Sequence, residues 1–202
     1  IVATLNARTS ILAAANPKFG RYLPERDLAE NLDLPPTILS RFDLIFVLVD
    51  IPKKEEDYKK ASHILGLHTR DIRPEPPFSP EFLKKYILYA KEHIFPKLTR
   101  EAANKILDFY MKMRAMSKEE SEETLGMSPI AITARQLEAL VRLTEAHARM
   151  LLKDEADESD ADFAIDLMTF SLSQVGRDPQ SGRIDIGIVS TGVSSSKRAR
   201  YL

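Results

Sequence analysis

The sequence has no cysteine, only four histidines and no long uninterrupted run of apolar residues. Disulfides and cysteine-ligated zinc are therefore excluded, and the histidines lack the helical HxxxH spacing of a catalytic zinc site. No apolar run approaches the roughly 18 residues that a membrane-spanning helix needs. The start, from Ile1 to Leu5, also lacks the basic region that opens a signal peptide. We predict neither a metal site built by this chain alone nor a membrane span.

The chain also lacks an excess of charge of either sign. Its 29 Lys and Arg residues are balanced by 30 Asp and Glu residues, which gives a formal net charge of -1. Non-specific coating of nucleic acid requires many uncompensated cations facing phosphates, so any contact with DNA is expected to be local. With 202 residues, 44% of them hydrophobic, the chain can bury one substantial core or two small ones.

Two short apolar runs near the start predict strands of an α/β sheet. The runs 10–15 and 43–49 are bounded by Asn16-Pro17 and by Asp50 to Pro52, as expected of inner strands covered on both faces. The stretch between them is punctuated by glycine and proline, and its closing Pro35-Pro36 pair disfavours a continuous helix. Arg41 is therefore expected on a short turn or helix that enters the second strand.

The remainder of the chain predicts helices. The first runs from Lys54 to Leu67, and a break with three prolines between Thr69 and Pro77 is the candidate domain boundary. Four more helices follow, each with a start signal or an apolar stripe: one capped by Ser79, one from Thr99, one behind a Thr133/Gln136 capping box, and one from about Ser159 to Val175. Gly176 is expected to stop the last helix, and the acidic stretch from Lys118 to Thr124 is expected to be an exposed loop.

Three separated motifs carry a resemblance to a known family. They are Ala13-Ala-Ala-Asn-Pro17, Leu34-Pro-Pro-Thr-Ile-Leu-Ser-Arg-Phe-Asp43 and Ile132-Thr-Ala-Arg-Gln-Leu-Glu-Ala-Leu140. In this order they resemble the MCM replicative DNA helicases, which are AAA+ ATPases, and the lack of long insertions is similar to archaeal members. The resemblance extends from Ile1 to about Gly176 and continues more weakly through the tail.

The resemblance implies a fold that is α/β plus all-α. Residues 1–78 would be the C-terminal portion of a partial AAA+ P-loop ATPase core, containing the last strands of its sheet. Residues 79–176 would be a helical lid domain. Residues 177–202 would be an irregular C-terminal tail that serves as a linker towards a winged-helix domain.

The family implies ATP and Mg²⁺ as cofactors, but this chain lacks the parts that hold them. Phosphoryl transfer needs a cradle for the phosphates, normally GxxxxGK[S/T], and an acidic metal ligand at the end of a strand. We find neither motif in the sequence. ATP and Mg²⁺ would therefore be bound mainly by residues outside this chain, and the fragment alone is predicted to be inactive.

Asn16 is the first candidate site residue. Its neutral amide can donate to a phosphate oxygen and accept from water, and it resembles the family's sensor 1 residue, which acts on the subunit's own ATP. From spacing alone, the favoured alternative is that Asn16-Pro17 simply ends a strand, and it is the surrounding Ala-Ala-Ala-Asn-Pro match that favours the sensor role.

Arg41 is the second candidate, and it resembles the arginine finger that acts in trans on ATP held by a neighbouring subunit. Its guanidinium is planar and permanently charged, which suits an oxygen-rich transition state. The alternative is a surface salt bridge with Asp43 or Asp27.

Arg135 is the third candidate and resembles sensor 2, again acting in trans. It follows the N-cap Thr133 by two residues, where the helix dipole makes a cation unfavourable by about 0.3 to 1 kcal/mol. A phosphate at the helix N-terminus would offset that cost. The alternative is a pair with Glu138. Arg142 and Arg149 on the same helix each follow a glutamate by four residues and are predicted to lie on its solvated face.

The family also implies partners and a setting. These are other MCM subunits in a ring, with a homo-hexamer expected, single- or double-stranded DNA, and replication-fork proteins, in the archaeal cytoplasm or a eukaryotic nucleus and without a membrane. Arg8, Lys18 and the cations of residues 197–200 are expected to be ordinary surface residues. One alternative function is a non-catalytic helical docking module of another AAA+ assembly. Another is a different AAA+ enzyme, such as a magnesium chelatase or a sigma-factor activator.

Overall fold

The computed structural model describes residues 9–23, 26, 28–69, 76–123 and 132–175. In chain order, its elements are α1 Leu28–Leu32, α2 Pro36–Leu39, α3 Lys54–Thr69, α4 Pro80–His93, β1 Lys97–Leu98, α5 Arg100–Glu123, α6 Ala134–Met150, β2 Glu155–Ala156 and α7 Glu158–Val175. In these ranges the only sheet is the parallel pair β1 and β2, with Lys97 opposite Glu155 and Leu98 opposite Ala156.

Local capping signals fix where two of the helices begin, as the sequence predicts. The Ser79 hydroxyl accepts from the backbone N–H of Phe82 at 3.2 Å, and Pro80 occupies the first turn of α4. At α6, Thr133 and Gln136 form the predicted capping box, with the Thr133 N–H donating to Gln136 Oε1 at 3.0 Å. All five predicted helices are present in the structure.

Helices α5, α6 and α7 enclose the main core. Leu140 and Ala148 of α6, Met168 of α7 and Ile106 of α5 are almost completely buried. Several members of this core are alanines: Ala102, Ala139, Ala161 and Ala164. Small side chains allow helices to approach closely, so α7 packs against both α5 and α6.

The small sheet positions two of these helices. Strand β1 leads into α5 and strand β2 leads into α7, so their pairing places the starts of both helices side by side. The ladder continues with the Thr99 N–H donating to the Ala156 carbonyl at 3.0 Å. Two-residue strands show no alternation of polar and apolar residues, and the sequence analysis did not predict them.

Helix α4 is attached to the end of α6 by polar contacts. The Tyr86 hydroxyl donates to the Met150 carbonyl at 2.8 Å, and Arg149 Nε donates to the Ile94 carbonyl at 2.8 Å. The Arg149 guanidinium also lies 5.4 Å from the centre of the Phe95 ring. The prediction that Arg149 belongs to the solvated face and pairs with Glu145 is therefore wrong.

The part of the chain before α3 has a smaller core. Leu28 and Leu39 are buried there, with Ile45 and Val47 packed against them. The preceding loop is organised by Asn31, which is completely buried. Asn31 accepts from the Leu23 N–H at 2.8 Å and donates to the Leu23 carbonyl at 3.0 Å.

The two predicted sheet strands are not formed. Residues 10–15 and 43–49 have no regular secondary structure, and Leu12 and Leu48 are 101% and 92% exposed. A strand needs a neighbouring backbone to satisfy its N–H and C=O groups, and neither segment has one in the part of the chain that the structure describes. The second segment instead attaches to α7, where the Ser171 hydroxyl bonds both backbone groups of Ile45, at 3.0 and 2.9 Å.

The predicted acidic loop is also wrong over its described part. Helix α5 continues to Glu123, and lysine and glutamate are good helix formers. Helix α3 has 16 residues, and none of them is buried. The predicted stop at Gly176 and the predicted linker 177–202 lie outside the described residues. No helix in the described ranges is both long enough and apolar enough to span a membrane.

Candidate functional site

The start of α6 meets the segment that contains Arg41. Arg135 Nη1 donates to the Ser40 carbonyl at 2.8 Å and lies 3.5 Å from the Ser40 hydroxyl. These residues are 95 positions apart in the sequence. The fold therefore brings Arg135 into contact with the residue that directly precedes Arg41, so two of the three predicted site residues lie next to the same serine.

Arg41 is presented by a tight turn. Helix α2 ends at Leu39, which is 2% exposed, and the Arg41 N–H donates to the Ile38 carbonyl at 3.0 Å. Phe42 continues the turn by donating to the Leu39 carbonyl at 3.1 Å. The prediction that Arg41 lies on a short turn is confirmed, with buried Leu39 fixing the position of the turn, but the strand that the turn was predicted to enter is not formed.

The Arg41 side chain is exposed, and within the described ranges it makes no hydrogen bond or ion pair. The predicted alternative with Asp43 is wrong, because Asp43 is bound by Arg142. Asp27, the other alternative partner, lies outside the described residues. With respect to the described residues, the Arg41 guanidinium is thus available for an oxygen-rich ligand.

A cavity of about 360 Å³ lies at the N-terminus of α6, lined by Ser40, Thr133, Ala134, Arg135 and Gln136. It combines a guanidinium with the positive end of a helix dipole, which is the chemistry that binds anionic oxygens. The alternative that pairs Arg135 with Glu138 is wrong, since Arg135 donates to Ser40 and Glu138 lies 3.5 Å from Arg142.

Arg142 was missed as a site residue. Its Nη2 lies 2.9 Å from Asp43 Oδ1 and its Nε donates to Oδ2 at 3.3 Å, a two-pronged contact. The hydrogen bond with Asp43 is the main reason that the pKa of Arg142 is raised above its ordinary value. The predicted pair with Glu138 is present at 3.5 Å, but it is the weaker contact, since Asp43 lies at 2.9 Å. The available signal was the seven-residue spacing from Arg135, which places both arginines on one side of α6.

Asn16 makes no described contact with this arrangement. It lies in a segment without regular secondary structure, with its side chain exposed, and the chain is fixed two residues later by the Lys18 N–H, which donates to the Asn31 carbonyl at 2.7 Å. No hydrogen bond in the described ranges joins Asn16 to Arg41 or Arg135. The structure brings together two of the three predicted site residues and leaves the third separate.

The lid also contains a buried polar cluster around Asp160, which the sequence analysis missed. Asp160 is completely buried, with Oδ1 2.7 Å from His147 Nδ1 and Oδ2 3.0 Å from Lys153 Nζ. The Phe163 ring stacks on His147 at 4.0 Å between centres. This cluster joins the end of α6 to the start of α7.

The neighbouring Asp157 completes the cluster. Its carboxylate accepts from the Ser159 hydroxyl at 2.6 Å and from Lys153 at 2.9 Å. These two hydrogen bonds, that from Ser159 above all, hold the pKa of Asp157 well below its usual range. The pKa of Lys153 is raised, chiefly by the bond with Asp157. Within the described part of the chain, no group of three or more His, Asp or Glu side chains could hold a metal ion.

Two protein-family models match this chain. Residues 1–68 match the family model of the MCM P-loop domain, and residues 81–172 match that of the MCM AAA-lid domain. A P-loop domain followed by an AAA lid is the layout in which the turn with Arg41 and the helix with Arg135 belong to successive domains. The chain belongs to the MCM family.

The relatives come from archaea and eukaryotes. The chain is 48% identical to the Minichromosome maintenance protein MCM of Saccharolobus solfataricus, over 100% of this chain and 28% of that protein. It is 41% identical to the DNA replication licensing factor MCM4 of Arabidopsis thaliana and 40% identical to that of Drosophila melanogaster, in each case over 99% of this chain and 24% and 22% of the relative. The family resemblance is confirmed, and the similarity does not single out an archaeal source. The chain spans about a quarter of the length of these relatives.

Proposed function

We propose that this chain is part of an ATP-dependent DNA helicase that works as a ring of subunits in DNA replication. The observation that carries the proposal is the junction of Arg41 and Arg135 through Ser40, beside a cavity at the start of α6. Membership of the MCM family supports it, because relatives bear the names minichromosome maintenance protein and DNA replication licensing factor.

In this proposal, Arg41 is the arginine finger and Arg135 is sensor 2, and both reach an ATP held by a neighbouring subunit. Both side chains are exposed, and Arg135 has a backbone carbonyl rather than a carboxylate as its described partner. Permanently charged, planar guanidinium groups suit phosphate oxygens. ATP would supply the phosphoryl group, with Mg²⁺ neutralising charge on it, and both would be held mainly by residues outside this chain.

Asn16 is proposed as sensor 1, acting on the subunit's own ATP. Its neutral amide is exposed, and the chain is fixed two residues later, at Lys18, by a hydrogen bond to Asn31. Asn16 has no described hydrogen bond to Arg41 or Arg135, which is compatible with a role at a different nucleotide. In this proposal the chain therefore contributes to two ATP sites, the subunit's own and that of one neighbour.

The domain bounds and partners belong to the same proposal. Residues 1–78 would be the C-terminal portion of the ATPase core, 79–176 the lid and 177–202 a linker towards a winged-helix domain. The ring would be a homo-hexamer acting on DNA with replication-fork proteins, in the archaeal cytoplasm or the eukaryotic nucleus. Movement of the lid would couple hydrolysis to movement along DNA.

The test is ATP hydrolysis by the full-length protein carrying Arg41→Ala. Loss of an arginine finger is expected to lower turnover by about 10³-fold or more. Mixing this variant with subunits whose phosphate cradle is inactivated, but whose Arg41 is intact, should restore part of the activity, because the finger acts in trans. Arg21→Ala, which removes another exposed arginine of the same region, is the matched control and should hydrolyse ATP normally.

Two outcomes would contradict the proposal. Wild-type turnover by Arg41→Ala would remove Arg41 from the site and favour the docking-module alternative. Loss of turnover without any recovery in mixed rings would mean that Arg41 does not act on a neighbour.

A further inference from the structure

Helix α6 holds the segment containing Arg41 from both sides. Arg135 binds the carbonyl of Ser40, the residue before Arg41, at 2.8 Å. Arg142 binds the carboxylate of Asp43, two residues after Arg41, at 2.9 and 3.3 Å. In the described structure, one helix therefore holds a residue on each side of Arg41, Ser40 by its backbone and Asp43 by its side chain.

The two anchor points define a direction as well as a position. Arg135 and Arg142 are seven residues apart, which is about two helical turns, so both side chains leave α6 on the same side. Ser40 and Asp43 follow the same order along the segment as Arg135 and Arg142 do along the helix. A single contact would leave the segment free to pivot, whereas two separated contacts do not.

The attachment continues past Asp43 onto α7. The Ser171 hydroxyl bonds the Ile45 backbone at 3.0 and 2.9 Å, and Gln174 Oε1 accepts from the Val47 N–H at 3.2 Å. Each of these bonds joins a lid side chain to the backbone of the segment. Between the anchors, the Arg41 side chain makes no described hydrogen bond or ion pair.

Stability is a poor explanation for the contact between Arg142 and Asp43. The Arg142 side chain is 50% exposed and that of Asp43 is 35% exposed, and exposed ion pairs contribute little to folding. A two-pronged guanidinium–carboxylate contact, however, fixes relative orientation better than a single bond does. The contact is therefore suited to positioning the residue beside it.

We propose that Arg142 is a positioning residue for ATP hydrolysis, which holds Arg41 and Arg135 as one rigid pair by binding Asp43. The proposal rests on the function proposed above, in which both arginines reach a neighbouring subunit's ATP. Arg142 itself contacts no nucleotide. It follows that Arg41 moves with the lid, so that lid movement in one subunit withdraws or delivers the finger of the next site.

The test compares full-length Arg142→Ala, Asp43→Asn and the charge-swapped Asp43→Arg/Arg142→Asp protein with wild type. Displacement of a catalytic group by about 1 Å costs up to about 10²-fold, so Arg142→Ala is expected to lower kcat by about 10- to 100-fold. KM for ATP should stay within about twofold, because only the transition state loses an interaction. Asp43→Asn should lower kcat less, and the charge swap should restore most of the loss.

Arg149→Ala is the matched control, because Arg149 lies a further seven residues along α6 and binds Ile94 rather than the Arg41 segment. Its kcat should match that of wild type. Thermal unfolding of each variant confirms that the lid is folded.

The contradicting outcomes separate this proposal from the function on which it rests. If Arg41→Ala lowers ATP turnover but Arg142→Ala or Asp43→Asn keeps the wild-type kcat, the positioning role alone is overturned. Wild-type turnover by Arg41→Ala would overturn both. A rise in KM at unchanged kcat for Arg142→Ala would also overturn the positioning role, since that change indicates that Arg142 contributes equally to binding the substrate and the transition state.

Discussion

The described lid (residues 79–123 and 132–175) and the region before it (residues 9–69 with short gaps) differ in where their apolar side chains lie. In the lid, Leu140 and Met168 are almost completely buried, whereas Ile11 and Leu48 of the earlier region are 77% and 92% exposed. A helix satisfies its own backbone groups and can bury a stripe against the next helix in the chain. A strand-forming segment depends on another strand beside it. The described lid helices therefore bury their apolar side chains against one another, whereas residues 10–15 and 43–49 have no strand beside them in the described ranges.

The two regions also use buried polar groups differently. Asn31 is the completely buried polar residue of the earlier region, and its neutral amide bonds the backbone of Leu23 and Arg26. In the lid, the completely buried Asp160 has a similar place, and its carboxylate contacts His147 and Lys153. Neutral hydrogen bonds shape a loop in one region, while a buried charge joins two helices in the other.

Removal of the buried charge is expected to have the largest effect on the lid. Asp160→Ala leaves the Lys153 ammonium without a buried partner and the Asp157 N–H without its acceptor, which lies 2.9 Å away. Deleting one partner of a buried pair costs about 3 to 5 kcal/mol, and the loss here is expected at the lower end, because Lys153 is 31% exposed and keeps its bond with Asp157. Urea unfolding of the 202-residue chain, followed by circular dichroism, measures that loss.

Asp162→Ala is the matched control on the same helix, since Asp162 is half exposed and binds only the surface Lys105 among the described residues. Its unfolding midpoint should stay close to that of wild type. Equal midpoints for the two variants would show that the Asp160 cluster does not stabilise the lid.

A leucine pair tests the contrast in apolar burial directly. Leu140→Ala removes a completely buried side chain from the lid core and is expected to cost about 2 to 5 kcal/mol. Leu48→Ala removes a side chain that is 92% exposed and should change the free energy of unfolding by less than about 0.5 kcal/mol. Urea unfolding gives both values. A loss at Leu48 comparable to that at Leu140 would break the comparison, because it would mean that another molecule covers this face in solution.

The same contrast explains which features could be predicted from sequence. Helices α4 and α6 were predicted with their starts because Ser79 and the Thr133/Gln136 box act within one turn. The strands were predicted from composition, but their formation depends on residues elsewhere. The apolar runs 10–15 and 43–49 are present in the sequence, but the prediction that they pair with neighbouring strands is wrong for the described structure.

The candidate site shows the same limit. Arg135 and Arg41 were identified by resemblance, and the structure joins their neighbourhoods through Ser40. The Arg142 contact with Asp43 spans 99 residues, so the seven-residue spacing from Arg135 could indicate the side of α6 but not the partner, and Glu138 offered a nearer but weaker partner. Buried Asp160 was missed for a related reason, because its partner His147 precedes it by 13 residues and belongs to another helix.

The smallest effect is expected from Asp157, whose contribution to stability is present at neutral pH and is lost in acid. Hydrogen bonds from Ser159 and then Lys153 hold the pKa of Asp157 below its ordinary value of 3.8. Below pH 3.8 the unfolded chain binds a proton that the folded chain does not, so the contribution of Asp157 to stability is complete above that pH and is lost progressively as the pH falls. Asp157→Asn should therefore flatten the acid limb of a plot of unfolding free energy against pH. Ser159→Ala, which removes the strongest donor, should give an intermediate slope, and a slope equal to that of wild type would show that the hydroxyl does not set this pKa.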